Sequence, residues 1–303
     1  EALAKGKAFF QVGAASHSPA HALYAWAADE QGSEYYTIHV RDLATGEVLG
    51  QPIDSAYGDF VFSPDSRWLF WIWRDENARP ARVFRRPARG GEDVLIYEEA
   101  DDGMFLGVGA PSDDAYILIH VETTELWMIP ATEPTADPVC VEPRREGVRY
   151  ELDHWTDRWL IRTNDDGAVD FKICQSDAAR PARDTWRPFV PHQTGRYITG
   201  FAAYAQHLVR AERVEALDRL VIMDRAGAEH VVAFDEEAYA LHLEGGLEYE
   251  TALTRFVYQS PTTPRQWFDY DMATGARTLR KTQEVPSGHD PADYVARRLQ
   301  ARA

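Results

Sequence analysis

Fragments of several chemical motifs occur in this chain, and none is complete. His17 and His21 stand four apart, as two zinc ligands on one helical face would. Pro19 lies between them, however, and their surroundings read as a strand turn. Gly107 and Gly109, in GVGAPS, have the spacing of a dinucleotide loop but lack its third glycine and its helix, so the segment reads as a strand. Asp165–Asp166–Gly167 is a fragment of a calcium loop without the remaining ligands, and a hairpin turn accounts for it. No serine lies in a G-x-S-x-G elbow, the sharp strand-to-helix turn that exposes a nucleophile over an oxyanion hole. The histidines therefore have no serine to serve as base. No catalytic residue, metal or cofactor is expected.

One recurring constellation remains, in which acids stand beside aromatics at intervals along the chain. Asp54, Tyr57 and Asp59 form one group, and Glu98, Glu99, Asp101, Asp102 and Phe105 a second. Glu146, Tyr150 and Glu151 follow, then Glu236, Glu237 and Tyr239. Carboxylates gathered this way attract and bind cations. The whole chain agrees in sign, with 49 Asp+Glu against 32 Lys+Arg and a net charge of -17. That excess argues against nucleic acid, whose phosphates require basic surface, and allows long-range attraction of cationic ligands. Solvated turn acids beside core aromatics are the plainer account of each group.

The elements that carry these groups repeat. The 303 residues divide into six quartets of short, β-branched and aromatic-rich runs, at 9–53, 57–99, 104–144, 148–192, 196–237 and 239–285. In each quartet the first run is small and apolar (Gly13, Ala14, Ala15; Gly107, Gly109, Ala110; Ala202, Ala203), as a crowded innermost strand requires. A turn such as Ser63–Ser66 reverses the chain into a bulky second run, where Trp68, Trp71 and Trp73 read as core. The third run alternates and ends in a turn such as Asp42–Gly46, Asp224–Gly227 or Asp271–Gly275, and the fourth is short and polar. Four strands per repeat, repeated many times, predict an all-β fold, a β-propeller of four-stranded antiparallel blades. A sandwich would not repeat this order six times. The acid and aromatic groups then fall on connections from an outermost strand to the next innermost one, all on one face around the channel mouth.

The longest apolar stretch, Trp68 to Trp73, is far below the roughly 18–20 residues of a membrane helix. Ala292–Ala301 is the only helical candidate. Cys140 and Cys174 have no metal or redox spacing and read as buried or half-buried thiols of a reducing compartment.

Four stretches resemble the propeller of oligopeptidase B (protease II), a branch of the prolyl oligopeptidase family of serine peptidases. They are LIYEEADDGMFLGVG at Leu95–Gly109, PRREGVRYELDH at Pro143–His154, RTNDDGAVDFK at Arg162–Lys172 and DYDMATGARTLRKTQEVP at Asp269–Pro286. The resemblance implies a seven-bladed propeller whose first blade lies upstream of Glu1. It implies that 287–303 crosses toward an α/β-hydrolase catalytic domain, the expected partner, which would carry the Ser, Asp and His absent here. By that resemblance the intact enzyme is a cytoplasmic oligopeptidase cleaving short basic peptides after Arg or Lys, and this chain, inactive alone, gates their entry. Tyr57 and Phe105 match positions that wall the family's peptide cavity. Tyr57, Asp59, Glu98, Glu99, Asp101, Asp102, Phe105, Tyr150, Glu151 and Tyr239 are the expected gating face. A stand-alone binding propeller and a prolyl-specific enzyme are the alternatives. No nucleic acid or membrane partner is expected.

Overall fold

The computed structural model describes residues 2–245, 248–299 and 301. The first quartet forms β1 (Gln11–His17), β2 (Leu23–Asp29), β3 (Tyr36–Asp42) and the start of β4 (Val48–Phe62). The rest of β4 opens the second, with β5 (Trp68–Arg74), β6 (Pro80–Pro87) and β7 (Val94–Glu98). The third is β8 (Leu106–Gly109), β9 (Tyr116–Val121), β10 (Glu125–Pro130) and β11 (Val139–Glu142). The fourth is β12 (Tyr150–Trp155), β13 (Arg158–Thr163), β14 (Lys172–Ser176) and β15 (Arg187–Val190). The fifth is β16 (Arg196–Ala203), β17 (His207–Val214), β18 (Leu217–Asp224) and β19 (Glu229–Val231). The last is β20 (Ala240–Gly245), β21 (Leu253–Gln259), β22 (Gln266–Asp271) and β23 (Arg277–Thr282). Every strand pairs antiparallel with its sequence neighbours in its sheet, as hairpin-connected strands of a blade must.

The first two quartets share one seven-stranded sheet because β4 serves both. Val48 to Ala56 pair with β3, whereas Ala56 to Phe62 pair with β5, so Ala56 faces Tyr36 on one side and Trp73 on the other. Left-handed Ser55 (φ 56°) and Gly58 (φ 116°) bend the strand where it changes partner.

The chain divides into two compact units, Glu1–Glu151 with Arg180–Arg183, and Leu152–Ala179 with Asp184–Ala303. In the first, Leu23, Ala25, Ala27, Ile38, Val40, Leu69 and Trp71 build one apolar core, and Ile72, Val83, Leu106, Ile119 and Val121 another. In the second, Trp155, Leu160, Ile173, Ile198 and Leu208 form one cluster, and Tyr204, Val209, Ile222, Phe256 and Tyr270 another. The burial pattern of β3, in which Tyr36, Ile38, Val40 and Asp42 are buried and the residues between them half-buried, is the period-2 alternation of a strand.

Turn chemistry repeats with the blades. At Asp42 the carboxylate accepts from the N–H groups of Ala44 and Thr45 at 2.9 and 3.0 Å, and Gly46 donates to the Asp42 carbonyl. Asp271 makes the same three bonds to Ala273, Thr274 and Gly275. Both glycines have φ of 75°, which only glycine adopts at no steric cost.

The crowding expected of innermost strands holds at Gly13, where an added Cβ would lie 2.8 Å from the Tyr36 ring. At Gly107 and Gly109 it would make an ordinary 3.6 Å contact with His120, and at Gly200 it would meet nothing. Smallness there is not forced by packing.

The described residues of Ala292–Ala301 form no α-helix, against expectation. A single 3-10 turn, Pro291–Asp293, is capped by Asp290, whose carboxylate accepts from Ala292 N–H at 2.9 Å. The chain then becomes extended, with Val295 and Leu299 68% and 93% exposed. An isolated ten-residue helix is marginal in water unless an apolar face is buried, and this segment buries none.

Among the described residues no group of His, Cys, Asp or Glu has the arrangement of a metal site, and no helix is long and apolar enough to cross a membrane. The His17 and His21 rings stack at 4.2 Å. Asp166 pairs with Lys172 at 3.1 Å in its turn. Trp71 stacks on Phe84 and donates to Asp93 at 2.9 Å, while Trp68 and Trp73 carry Arg85 and Arg82 on their faces. Cys140 and Cys174 are free; burial pushes the Cys140 thiol up to about 11 and raises that of Cys174.

Candidate functional site

The second acid group of the sequence becomes an ion-pair network in the first unit. Glu99, directly after β7, is 4% exposed and receives Arg144 at 2.5 Å and the Tyr97 hydroxyl at 3.1 Å. Arg144 also reaches Glu125 at 3.4 Å, and Glu125 accepts from the Trp127 indole at 2.8 Å. Burial opposes the Glu99 charge, but the Asp101 N–H, Arg144 and Tyr97 outweigh it and hold the carboxyl below its ordinary range. Burial and the Glu99 charge together push the Tyr97 phenol up.

The neighbouring acids are more open but also paired. Glu98 binds Arg82 at 2.7 Å, and Asp102, 95% exposed, binds Arg79 at 3.3 Å. Asp101 accepts from the Gly103 N–H at 2.9 Å and lies 4.0 Å from Arg144. Arg79 further donates to the carbonyl of Asp101 at 2.9 Å. The structure thus brings Glu98, Glu99, Asp101 and Asp102 together, through arginines 79, 82 and 144.

Tyr57 is half-buried against the cluster of Ile72, Val83, Leu106, Ile119 and Val121 that also holds Tyr97, and the Arg74 guanidinium lies 4.9 Å from its ring centre. Asp59, two residues on, is exposed and meets no cation or hydrogen-bond donor among the described residues. Crowding by surrounding protein nevertheless pushes its pKa up. Phe105 is 48% exposed directly before β8. Tyr150 is buried instead: its hydroxyl donates to the Glu142 carbonyl at 2.7 Å and accepts from Leu126 N–H at 2.9 Å, pinning two strands of the third blade. Glu151 follows, half-buried. Tyr239, in the second unit, is half-buried with its ring 4.9 Å from Phe234 and 5.5 Å from Tyr258.

The Glu236 carboxylate accepts from the hydroxyls of Tyr258, Thr262 and Thr263 at 2.7, 2.8 and 2.7 Å. Burial opposes its ionisation, yet hydroxyl hydrogen bonds from Ser260, Thr263, Tyr258 and Thr262 outweigh it and bring the pKa down to about 2. Glu237 binds Arg297 and the Arg298 N–H. His289 contacts the Thr262 carbonyl at 2.7 Å, so the segment after β23 lies against this turn.

Sequence reasoning found the acids and missed their partners. Composition records a surplus of carboxylates without showing which ones arginines neutralise. One signal was available: Glu99 and Arg144 each close a quartet, so neighbouring blades bring them together.

Residues 1–283 match the sequence profile described as prolyl oligopeptidase, N-terminal beta-propeller domain. The chain belongs to the prolyl oligopeptidase family. Its four-stranded sheets are the blades of that β-propeller. Within the family, all of the chain is 37% identical to 42% of dipeptidyl aminopeptidase BI of Pseudoxanthomonas mexicana. Oligopeptidase B of Leishmania major superposes on 96% of the chain with a TM-score of 0.89 and 29% identity. Oligopeptidase B of Trypanosoma brucei, in a closed form with covalently bound antipain, superposes on 98% with a TM-score of 0.88 and 28% identity. The chain spans 43% and 44% of those two chains, so it matches their N-terminal propeller alone.

Proposed function

We propose that this chain is the access-controlling propeller of an oligopeptidase B-like serine peptidase, whose catalytic domain lies in the remainder of the natural protein. The observation that carries this reading is the likeness to two oligopeptidase B structures over nearly the whole chain, at TM-scores of 0.89 and 0.88. A propeller capping a hydrolase site excludes folded proteins and admits short peptides. Its acidic surface, part of a net charge of -17, raises the local concentration of peptides bearing Arg or Lys, and salt weakens that effect. The expected compartment is the cytoplasm, in keeping with two free cysteines whose thiols burial keeps protonated.

A second reading, that the intact enzyme releases dipeptides from a free N-terminus, is favoured by the 37% identity to a dipeptidyl aminopeptidase along the whole chain.

The test uses the natural full-length product with fluorogenic peptides ending in Arg-Arg and Ala-Pro, each with a free and an acetylated N-terminus. This chain serves as control. Cleavage after Arg by the long form alone supports the oligopeptidase. Cleavage confined to free N-termini moves the reading to dipeptide release, and cleavage after Pro moves the specificity. A folded long form that cleaves nothing overturns it in favour of a stand-alone binding propeller.

A further inference from the structure

Strand β4 carries a bulge at its change of partner. Ala56 faces Trp73 and Phe60 faces Trp71, so β4 spends four steps where β5 spends two. Tyr57, Gly58 and Asp59 occupy the excess. Gly58 makes the bulge feasible, since its φ is 116° and an added Cβ would lie 3.1 Å from the Tyr36 ring. Bulges of this kind re-aim side chains and recur beside functional sites. Here Tyr57 packs into the core while Asp59 is presented to solvent.

We propose that Asp59 receives the cationic group of a peptide substrate, its α-ammonium group or a basic side chain, an inference that rests on the peptidase reading above. The acids around the end of β7 already have cationic partners: Glu98 has Arg82, Glu99 has Arg144 and Asp102 has Arg79, while Asp101 lies 4.0 Å from Arg144. Asp59 has no such partner among the described residues, and protein crowding already makes its charge costly to maintain. A carboxylate that is partly desolvated and accessible but unpaired gains from an arriving cation what the paired acids have already obtained within the fold. Its place on the innermost strand of the second blade, beside Tyr57, puts it where peptides must pass if the propeller is a gate.

The experiment compares the natural full-length enzyme with its D59N variant on four fluorogenic peptides cleaved after Arg. The peptides have free or acetylated N-termini, combined with Arg or citrulline upstream of the cleaved residue. The expected result is a roughly three- to tenfold rise in KM, the size of a partly solvated ion pair, at unchanged kcat. That rise is confined to peptides with the recognised cation, and D59E restores most of the affinity. A rise only for free N-termini assigns the α-ammonium group; a rise only for Arg over citrulline assigns the side chain. Equal KM for wild type and D59N on all four peptides overturns the proposal, as does an equal rise for the acetylated citrulline peptide. A folded full-length protein that cleaves none of them refutes cleavage after Arg, the part of the peptidase reading on which the Asp59 assignment rests, and the assignment falls with it.

Discussion

The Glu99 carboxylate and the Arg144 guanidinium are one repeat apart in sequence, |i−j| = 45, and 2.5 Å apart in space. Glu99 is 4% exposed, while the Arg144 side chain is 30% exposed. Removing one partner of such a pair strands the other, and the loss exceeds what the pair contributes net. Glu99→Ala should therefore destabilise the protein by about 2 kcal/mol, below the fully buried limit because Arg144 retains some water. Arg144→Met should cost a similar amount, and the double variant less than the sum. Urea unfolding of the three variants checks this; additive losses would remove the coupling.

Glu236 makes stability depend on acid. Its folded pKa of about 2 lies below its ordinary 4.5, so the hydroxyl cage stabilises the fold above the ordinary value. That contribution fades as pH falls from about 5 toward 2, because the unfolded chain takes up the proton first. The urea midpoint should drop across this window. Glu236→Gln should flatten that part of the profile, and an unchanged slope would refute the role.

Gly13 and Gly58 both lie against the Tyr36 ring, at 2.8 and 3.1 Å for an added Cβ. Gly58→Ala meets two costs, the contact and a φ of 116° that L side chains rarely adopt. It should lose about 3 kcal/mol, from strain and overpacking together. Gly13→Ala meets the contact alone and should lose less, with Tyr36→Leu recovering part of it. Thermal unfolding of the set decides the order.

Turn and core chemistry were the legible part of the sequence. Asp42–Gly46 and Asp271–Gly275 announce their turns because one short motif satisfies its own backbone, and β5 announces its core through Trp68 to Trp73. The seven-stranded sheet was not legible: Pro52, Asp54, Ser55 and Gly58 read as a break between quartets, yet β4 runs through them and Gly58 bends it without ending it. Ala292–Ala301 misled because helix-forming residues mean little without a face to bury. Of the acid groups, position was readable and charge state was not. Pairing of Glu98, Glu99, Asp101 and Asp102 depends on arginines 79, 82 and 144, and the buried pin at Tyr150 depends on Leu126 and Glu142. Those are pairings across strands and blades.

The arginine network also decides how electrostatic steering should be tested. Neutralising Glu98, Glu99, Asp101 and Asp102 together would change the field and damage the fold at once, since Glu99 is buried. Asp101 and Asp102 are 56% and 95% exposed, so D101N/D102N removes two charges facing solvent with little structural cost. Arg79 loses Asp102 but stays held by Asp75 at 3.2 Å and by the Asp101 carbonyl. If this turn attracts cationic peptides, the full-length double variant should show a raised KM for dibasic peptides at low ionic strength, converging on wild type as salt shortens the screening length toward about 8 Å. Peptides with a single positive charge should show a smaller effect. A KM independent of the substitutions at low salt would assign these acids to blade-to-blade pairing alone and leave attraction to other parts of the surface.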